Sequence, residues 1–160
     1  MDKLSFYDVD KEYIDYLKQE EIKQRGFTKV PNMEYENEQK FLCGIVLSIN
    51  NINYYVPVTS YKKKKSENFL IIFDDDKYNK IKGSLRFNFM IPVPESAITE
   101  RIINKEESQI RKVFLQKQLD YINSNRQVII NKANRTYLRI KNNYNPRLTH
   151  NSCDFKLLEE

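Results

Sequence analysis

The sequence is poor in the residues on which most catalytic and cofactor sites are built. It holds a single histidine, His150, among 160 residues. A two-histidine acid–base pair and a histidine-rich metal site are therefore both out of reach. The two cysteines, Cys43 and Cys153, sit inside apolar runs and make a poor zinc site. They read as buried thiols of a reducing compartment rather than as a disulfide. Glycine occurs three times, which leaves no glycine-rich loop to cradle a phosphate. No apolar stretch approaches the roughly 18 residues of a membrane span. The start, Met1-Asp2-Lys3-Leu4-Ser5, does not open like a signal peptide, so the expected compartment is the cytoplasm. The run Asp74-Asp75-Asp76 reads as a turn, because metal ligands converge from several elements and consecutive acids usually do not. No cofactor is expected.

What remains is enough for one core and an anionic partner. A length of 160 residues with 40% hydrophobic side chains fits a single domain, residues 1–160. The net charge of +5 is modest, but its distribution is uneven. Residues 1–40 carry ten acids and seven bases, whereas Tyr121 to Cys153 carries no acid and six bases: Arg126, Lys132, Arg135, Arg139, Lys141 and Arg147. A surface helix ordinarily mixes signs, because opposite charges at i,i+4 stabilise it. A one-signed stretch repels itself and gains by meeting a polyanion. Asparagines and tyrosines interleave with these bases, a mixture suited to phosphate and sugar contacts and to base stacking.

Pattern along the chain predicts mixed secondary structure. Residues 3–9 read as a strand, and Asp10 stands where it can cap a helix over 11–24 that Gly26 ends. Residues 27–39 read as an irregular loop. Phe41–Ile49 and Asn53–Thr59 form a hairpin about Asn50-Asn51, and strands follow at Phe69–Phe73 and Gly83–Ile91. Two helices are expected at about 106–124, with Ile110, Phe114, Leu115, Leu119 and Ile122 on an apolar face, and at about 126–141. Cys153–Leu158 alternates and is expected to return as a last strand. The sum is α+β, an antiparallel sheet with helices packed on it.

One segment has chemical promise. In Pro57-Val58-Thr59-Ser60-Tyr61-Lys62-Lys63, two hydroxyls at a strand end stand directly before a cluster of ammonium groups. RNA is cut when its own 2′-hydroxyl attacks the adjacent phosphate in line. A protein assists by orienting the backbone, stabilising charge on the phosphorane and moving two protons. Hydroxyls and backbone N–H groups can hold the non-bridging oxygens, and a lysine can neutralise them. Crowded lysines also lower one another's pKa, which suits one of them to proton transfer.

This segment has company. In order along the chain stand Tyr13-Ile14-Asp15-Tyr16-Leu17-Lys18, Val30-Pro31, Phe41-Leu42-Cys43-Gly44-Ile45-Val46-Leu47 and Tyr55-Val56-Pro57-Val58-Thr59-Ser60-Tyr61-Lys62. They are followed by Asn88-Phe89-Met90-Ile91-Pro92-Val93-Pro94, Gln116-Lys117-Gln118-Leu119 and a terminal Cys153-Asp154-Phe155-Lys156-Leu157-Leu158-Glu159-Glu160. This series resembles the ToxN/AbiQ family, endoribonuclease toxins of type III toxin–antitoxin systems. The resemblance implies a compact, strongly twisted antiparallel β-sheet, barrel-like at its core and Kid/MazF-like, with peripheral helices. It implies metal-independent RNA cleavage leaving a 2′,3′-cyclic phosphate and a 5′-hydroxyl. It also implies inhibition by a pseudoknot antitoxin RNA that the toxin cuts from its own precursor. Toxin and RNA are then expected to close into a ring, heterohexameric when triangular, in a protein of growth inhibition or phage defence.

Carried over position by position, the resemblance places the scissile phosphate beside Ser60 and Lys62, with Thr59 supporting, and makes Lys40 a second active-site lysine. Tyr13 and Tyr35 become candidates for RNA contact or proton transfer. The key lysine's register stays open within Lys62–Lys65, and Lys63, Lys64 and Lys65 are also RNA-binding candidates. Lys112, Lys117, Arg135 and Arg139 are candidates for an antitoxin groove. Two other readings stand beside this one: a non-catalytic RNA-binding module, and a toxin held by a protein antitoxin.

Overall fold

The computed structural model describes residues 3–31, 34–35, 38–61, 63–65, 67–74, 79–142 and 152–153. The chain opens with strand β1 (Ser5–Val9) and helix α1 (Lys11–Arg25). A ribbon of two two-residue strands follows, β2 (Glu34–Tyr35) and β3 (Glu38–Gln39), inside the segment expected to be irregular throughout. Next come β4 (Leu42–Ile49), β5 (Ile52–Thr59), β6 (Asn68–Asp74), β7 (Asn79–Arg86), β8 (Ile91–Pro92) and β9 (Ile98–Glu100). Helices α2 (Gln109–Ser124) and α3 (Arg126–Lys141) complete the described elements.

Seven strands form one open antiparallel sheet in the order β6-β7-β5-β4-β1-β9, with β8 beside β5. The hairpin β4–β5 turns at Asn50 and Asn51, both at positive φ (51° and 67°). Asparagine tolerates that conformation, which suits a two-residue hairpin turn. Strand β5 is the central member. One edge pairs with β4, and the other is shared between β8, opposite Tyr54 and Tyr55, and β7, opposite Val58 and Thr59. The Val58 N–H donates to the Phe41 carbonyl on the β4 side. The neighbouring Pro57, which has no N–H, therefore turns toward the gap between β8 and β7, where no ladder bond is required.

Several expected boundaries move for physical reasons. The predicted strand Gly83–Ile91 is two pieces, because Phe87–Phe89 forms a 3-10 turn that steps the chain from β7 to β8. The helix expected from 106 starts at Gln109, where the Ser108 hydroxyl accepts the Arg111 N–H at 3.3 Å. Ile110, placed on the apolar face by periodicity, is 84% exposed. The other four residues of that face hold: Leu115 and Ile122 are buried, with Gln118 beside them, and Phe114 and Leu119 pack against the core. Cys153 belongs to no strand; its N–H donates to the Asn88 carbonyl and its thiol to that of Lys29. The remainder of the expected last strand, residues 154–158, lies outside the described residues. Both cysteines are free and buried, and burial pushes the Cys43 thiol up. Asp10 holds the N-cap of α1 through its backbone, its carbonyl accepting the N–H groups of Tyr13 and Ile14, without a side-chain cap.

The core lies between the sheet and helices α2 and α3. Ile129, Ala133, Tyr137 and Ile140 recur at helical spacing on α3, and Tyr137 meets Tyr54 edge-on at 5.5 Å. On α2, Phe114 and Tyr121 pack against Phe73 and Phe69 of β6. Helix α1 is joined to the sheet by Tyr13, whose hydroxyl donates to the Pro92 carbonyl at 2.6 Å. Burial, with a smaller contribution from Tyr16, pushes its pKa up to about 12. The unfolded phenol titrates near 10, so the stability this group contributes is complete below that pH and lost as pH rises toward 12. Tyr13→Phe should lose about 1 kcal/mol at neutral pH. Between pH 10 and 12 the variant should lose less stability than wild type, which denaturant melts across that window will measure.

Candidate active site

The end of β5, the bulge of β7 and the first three turns of α2 enclose a cleft of about 470 Å³. Strand register builds it. Leu70 pairs with Ser84 but Ile72 pairs with Ile81, so β7 spends one more residue than β6 over this stretch, at Lys82-Gly83. A bulge of this kind bends the strand and re-aims a side chain, and here Lys82 lines the cleft. Gly83 adopts φ +129°, and a β-carbon there would lie 2.6 Å from the Thr59 carbonyl oxygen. Only glycine fits a position with that dihedral and that backbone approach.

Opposite the bulge, Thr59 pairs with the fully buried Ser84, and their hydroxyls lie 3.0 Å apart. Thr59 Oγ1 also accepts the Tyr61 N–H at 3.3 Å, which turns the chain out of the sheet. Ser60, between them, is exposed on the cleft. Among the described residues its hydroxyl has no hydrogen-bond partner. Phe41, Val58, Phe114 and Leu115 supply apolar lining, and Lys40 enters from the segment leading into β4. The charged groups among the described lining residues are Lys40, Lys82 and Arg111, all cationic.

Beyond Ser60 the chain is held by two devices. The Arg86 guanidinium lies between the rings of Tyr61 (4.2 Å) and Phe89 (4.6 Å), and burial lowers its pKa. Asn68, almost wholly buried, donates to the Lys63 carbonyl and accepts the Lys65 N–H, each at 2.9 Å. Its own carbonyl accepts Lys132 Nζ at 3.4 Å. The lysine of this cluster whose pKa is pulled down is Lys132, first by burial and then by Arg135 and Lys64.

The structure thus brings together Lys40, Thr59 and Ser60, as expected, and sets Lys64 beside Arg135 through Lys132. Lys63, Lys64 and Lys65 are exposed on the loop that Asn68 staples. Lys62 lies outside the described residues, as does His150. Tyr13 is not among the cleft residues, and its hydroxyl is committed to Pro92. Tyr35 pairs with Glu38 in the β2–β3 ribbon, and its side chain is outside the described set. Lys112 and Lys117 ride on α2 next to cleft residues without lining it, and Arg139 sits in the last turn of α3. Asp74 ends β6, with residues 75–78 outside the described set.

Three polar residues of the cleft were not among the expected site residues: Lys82, Arg111 and Gln118. Two signals for them existed. A glycine inside a strand pattern marks a bulge, which applies to Lys82-Gly83. Arg111, Phe114, Leu115 and Gln118 stand at i, i+3, i+4 and i+7, one stripe of a helix.

Residues 5–160 match the family model described as Toxin ToxN, type III toxin-antitoxin system. Endoribonuclease AbiQ of Lactococcus lactis subsp. lactis is 32% identical over 166 residues, covering 98% of this chain and 86% of AbiQ. A solved bacterial type III toxin structure, described as one of selective toxin inhibition by a non-coding RNA pseudoknot, superposes with a TM-score of 0.83. Its identity is 29%, over 99% of this chain and 95% of that one. The structure of AbiQ, described as a lactococcal anti-phage endoribonuclease of a type III toxin–antitoxin system, superposes with a TM-score of 0.80. Its identity is 30%, over 99% and 94% of the two chains.

Two glycine substitutions separate dihedral strain from the close approach at the cleft. Gly26, the left-handed cap of α1 at φ +85°, has open space around it, so Gly26→Ala should cost about 1 kcal/mol. Gly83→Ala adds a backbone clash and should cost roughly 2–4 kcal/mol. Urea unfolding of the two variants against wild type measures the difference.

Proposed function

Because the chain belongs to the ToxN toxin family of type III toxin–antitoxin systems, we propose that it is an endoribonuclease that cuts RNA at the cleft between β5, β7 and α2. The observation that carries this reading is the Ser60 hydroxyl on the lip of a cleft whose described charged lining residues are all cations. RNA provides its own nucleophile, the 2′-hydroxyl, so the protein's work is positioning and charge stabilisation. The scissile phosphate sits with a non-bridging oxygen against the Ser60 hydroxyl, because the Tyr61 N–H that follows is already held by Thr59 Oγ1. Lys40 neutralises charge gathering on the phosphorane, and Lys62 joins from the loop beyond. Thr59 supports Ser60 from the strand. Its hydroxyl, bonded to Ser84 and to the Tyr61 N–H, fixes the turn on which Ser60 stands. Attack in line breaks the bond to the 5′-oxygen and leaves a 2′,3′-cyclic phosphate and a 5′-hydroxyl. No metal takes part in this scheme.

The same cleft is proposed to process the precursor of the protein's own inhibitor, a structured antitoxin RNA retained in a closed protein–RNA assembly. Support comes from the related toxin inhibited by a non-coding RNA pseudoknot and from the exposed basic loop Lys63–Lys65 beside Lys132 and Arg135. Cellular or phage RNA is the substrate once the inhibitor is lost, and the cytoplasm is the place of action. No helix among the described residues is long and apolar enough to cross a membrane.

The test is cleavage of a single-stranded RNA by purified protein, stripped of bound RNA and kept in excess EDTA, with the product ends mapped. Wild type should leave cyclic phosphate ends. Ser60→Ala should fall by about 100-fold or more in kcat, the scale seen when one preorganised donor to a developing anion is removed. Binding without any cutting would overturn the enzymatic reading and leave an RNA-binding module.

A further inference from the structure

The cleft holds two further cations that the proposed chemistry does not use. Lys82 and Arg111 line the same cavity as Lys40, Thr59 and Ser60. We infer that Lys82 and Arg111 bind RNA phosphates flanking the scissile one, and so set the path of a single strand through the cleft. This inference rests on the ribonuclease reading of the same cleft.

Each cation is placed at some structural expense. Lys82 reaches the cleft by virtue of the β7 bulge, which needs Gly83 at φ +129° pressed against the Thr59 carbonyl. The bulge is further tied to α2 by Gln118, whose Nε2 donates to the Lys82 carbonyl at 2.8 Å. The Lys82 ammonium stands 5.5 Å from the centroid of the Phe73 ring, which supports the side chain. Arg111 lies in the first turn of α2, a turn with no acidic residue. The helix dipole disfavours a cation there and favours an anion.

Arg111 is not left to wander. Its Nε is 3.7 Å from Glu106 Oε2, and the other oxygen of Glu106 is bonded to Arg101 Nε at 3.0 Å. Arg101 in turn bonds Asp8 at 3.1 Å. Glu106 is thus shared between two guanidinium groups, which orients Arg111 and leaves donors for a phosphate. Phe41, Val58, Phe114 and Leu115 line the same cavity. An apolar lining of this kind lowers the local dielectric and strengthens each charge contact made over it.

The experiment separates binding from cutting. The probe is a single-stranded 2′-fluoro oligonucleotide, which presents phosphates and bases but lacks the attacking hydroxyl. Its affinity is measured from 50 to 300 mM KCl for wild type, Lys82→Gln, Arg111→Gln and the double variant. Lys82→Arg and Arg111→Lys keep the charge, and Lys23→Gln removes an exposed charge from α1, away from the cleft. Each glutamine variant should weaken binding several-fold at low salt. Each should also flatten the slope of log affinity against log salt by about 0.7, the value of one phosphate contact on a single strand, and the double variant by about 1.4. The charge-keeping variants and Lys23→Gln should retain the wild-type slope. Wild-type affinity and slope in folded Lys82→Gln and Arg111→Gln would overturn the inference. Cleavage of unmodified RNA by the same wild-type preparation is scored in parallel. A chain that binds with the expected slopes yet never cuts would refute the ribonuclease reading alone.

Discussion

The α-carbon of Gly83 and the carbonyl of Thr59 share a space too small for a β-carbon, and the geometry of the cleft follows from that approach. It lets β7 close on the last two residues of β5 while carrying one residue more than β6 over the same stretch. The extra residue is what brings Lys82 to the cleft. The same pairing sets the Thr59 hydroxyl against the buried Ser84 hydroxyl, and the Thr59 oxygen then holds the Tyr61 N–H and turns the chain. Ser60 is left at the corner, exposed, where the sheet gives way to loop. A position built this way is rigid on the strand side, as a group meant to meet a phosphate should be.

Charge follows the same frame. The described cations of the cleft come from three places in the chain: the segment before β4, the β7 bulge and the first turn of α2. No local stretch of sequence is strongly basic on their account. The overt basic runs, Lys62–Lys65 and the acid-free stretch that includes α3, meet instead through Lys132, Lys64 and Arg135 on Asn68, at the far end of the same loop. Cleft and basic loop are therefore consecutive along the chain from Thr59 to Asn68.

Much of this was legible beforehand, and what was missed has a common cause. Asn50-Asn51 announced the hairpin because few other pairs accept two consecutive left-handed residues. Gly26 announced the end of α1 for a related reason. Thr59, Ser60 and Lys40 were read together only through resemblance to a family, since no periodicity links residue 40 to residue 60. Lys82 and Arg111 depend on register. A one-residue bulge is invisible unless the pairing is known, and the apolar face of α2 was placed correctly except at Ile110, one turn too early. Strand β9, three residues long and half-exposed at the sheet edge, left too weak a pattern to read. Tyr13 fell the other way: an early aromatic that resemblance nominated for chemistry joins α1 to β8. Local signals fixed the elements, and long-range pairing fixed the site.

The central claim is that the RNA supplies the nucleophile and the protein supplies the frame that holds it in line. A single 2′-deoxy substitution at the mapped cut nucleotide tests this most directly, with the wild-type protein and every other nucleotide unchanged. The account predicts that this RNA binds as its parent does, is cut nowhere at that bond, and competes with the parent for the cleft. Cleavage persisting at the substituted position would mean that water or a protein group attacks the phosphorus, and would contradict the account.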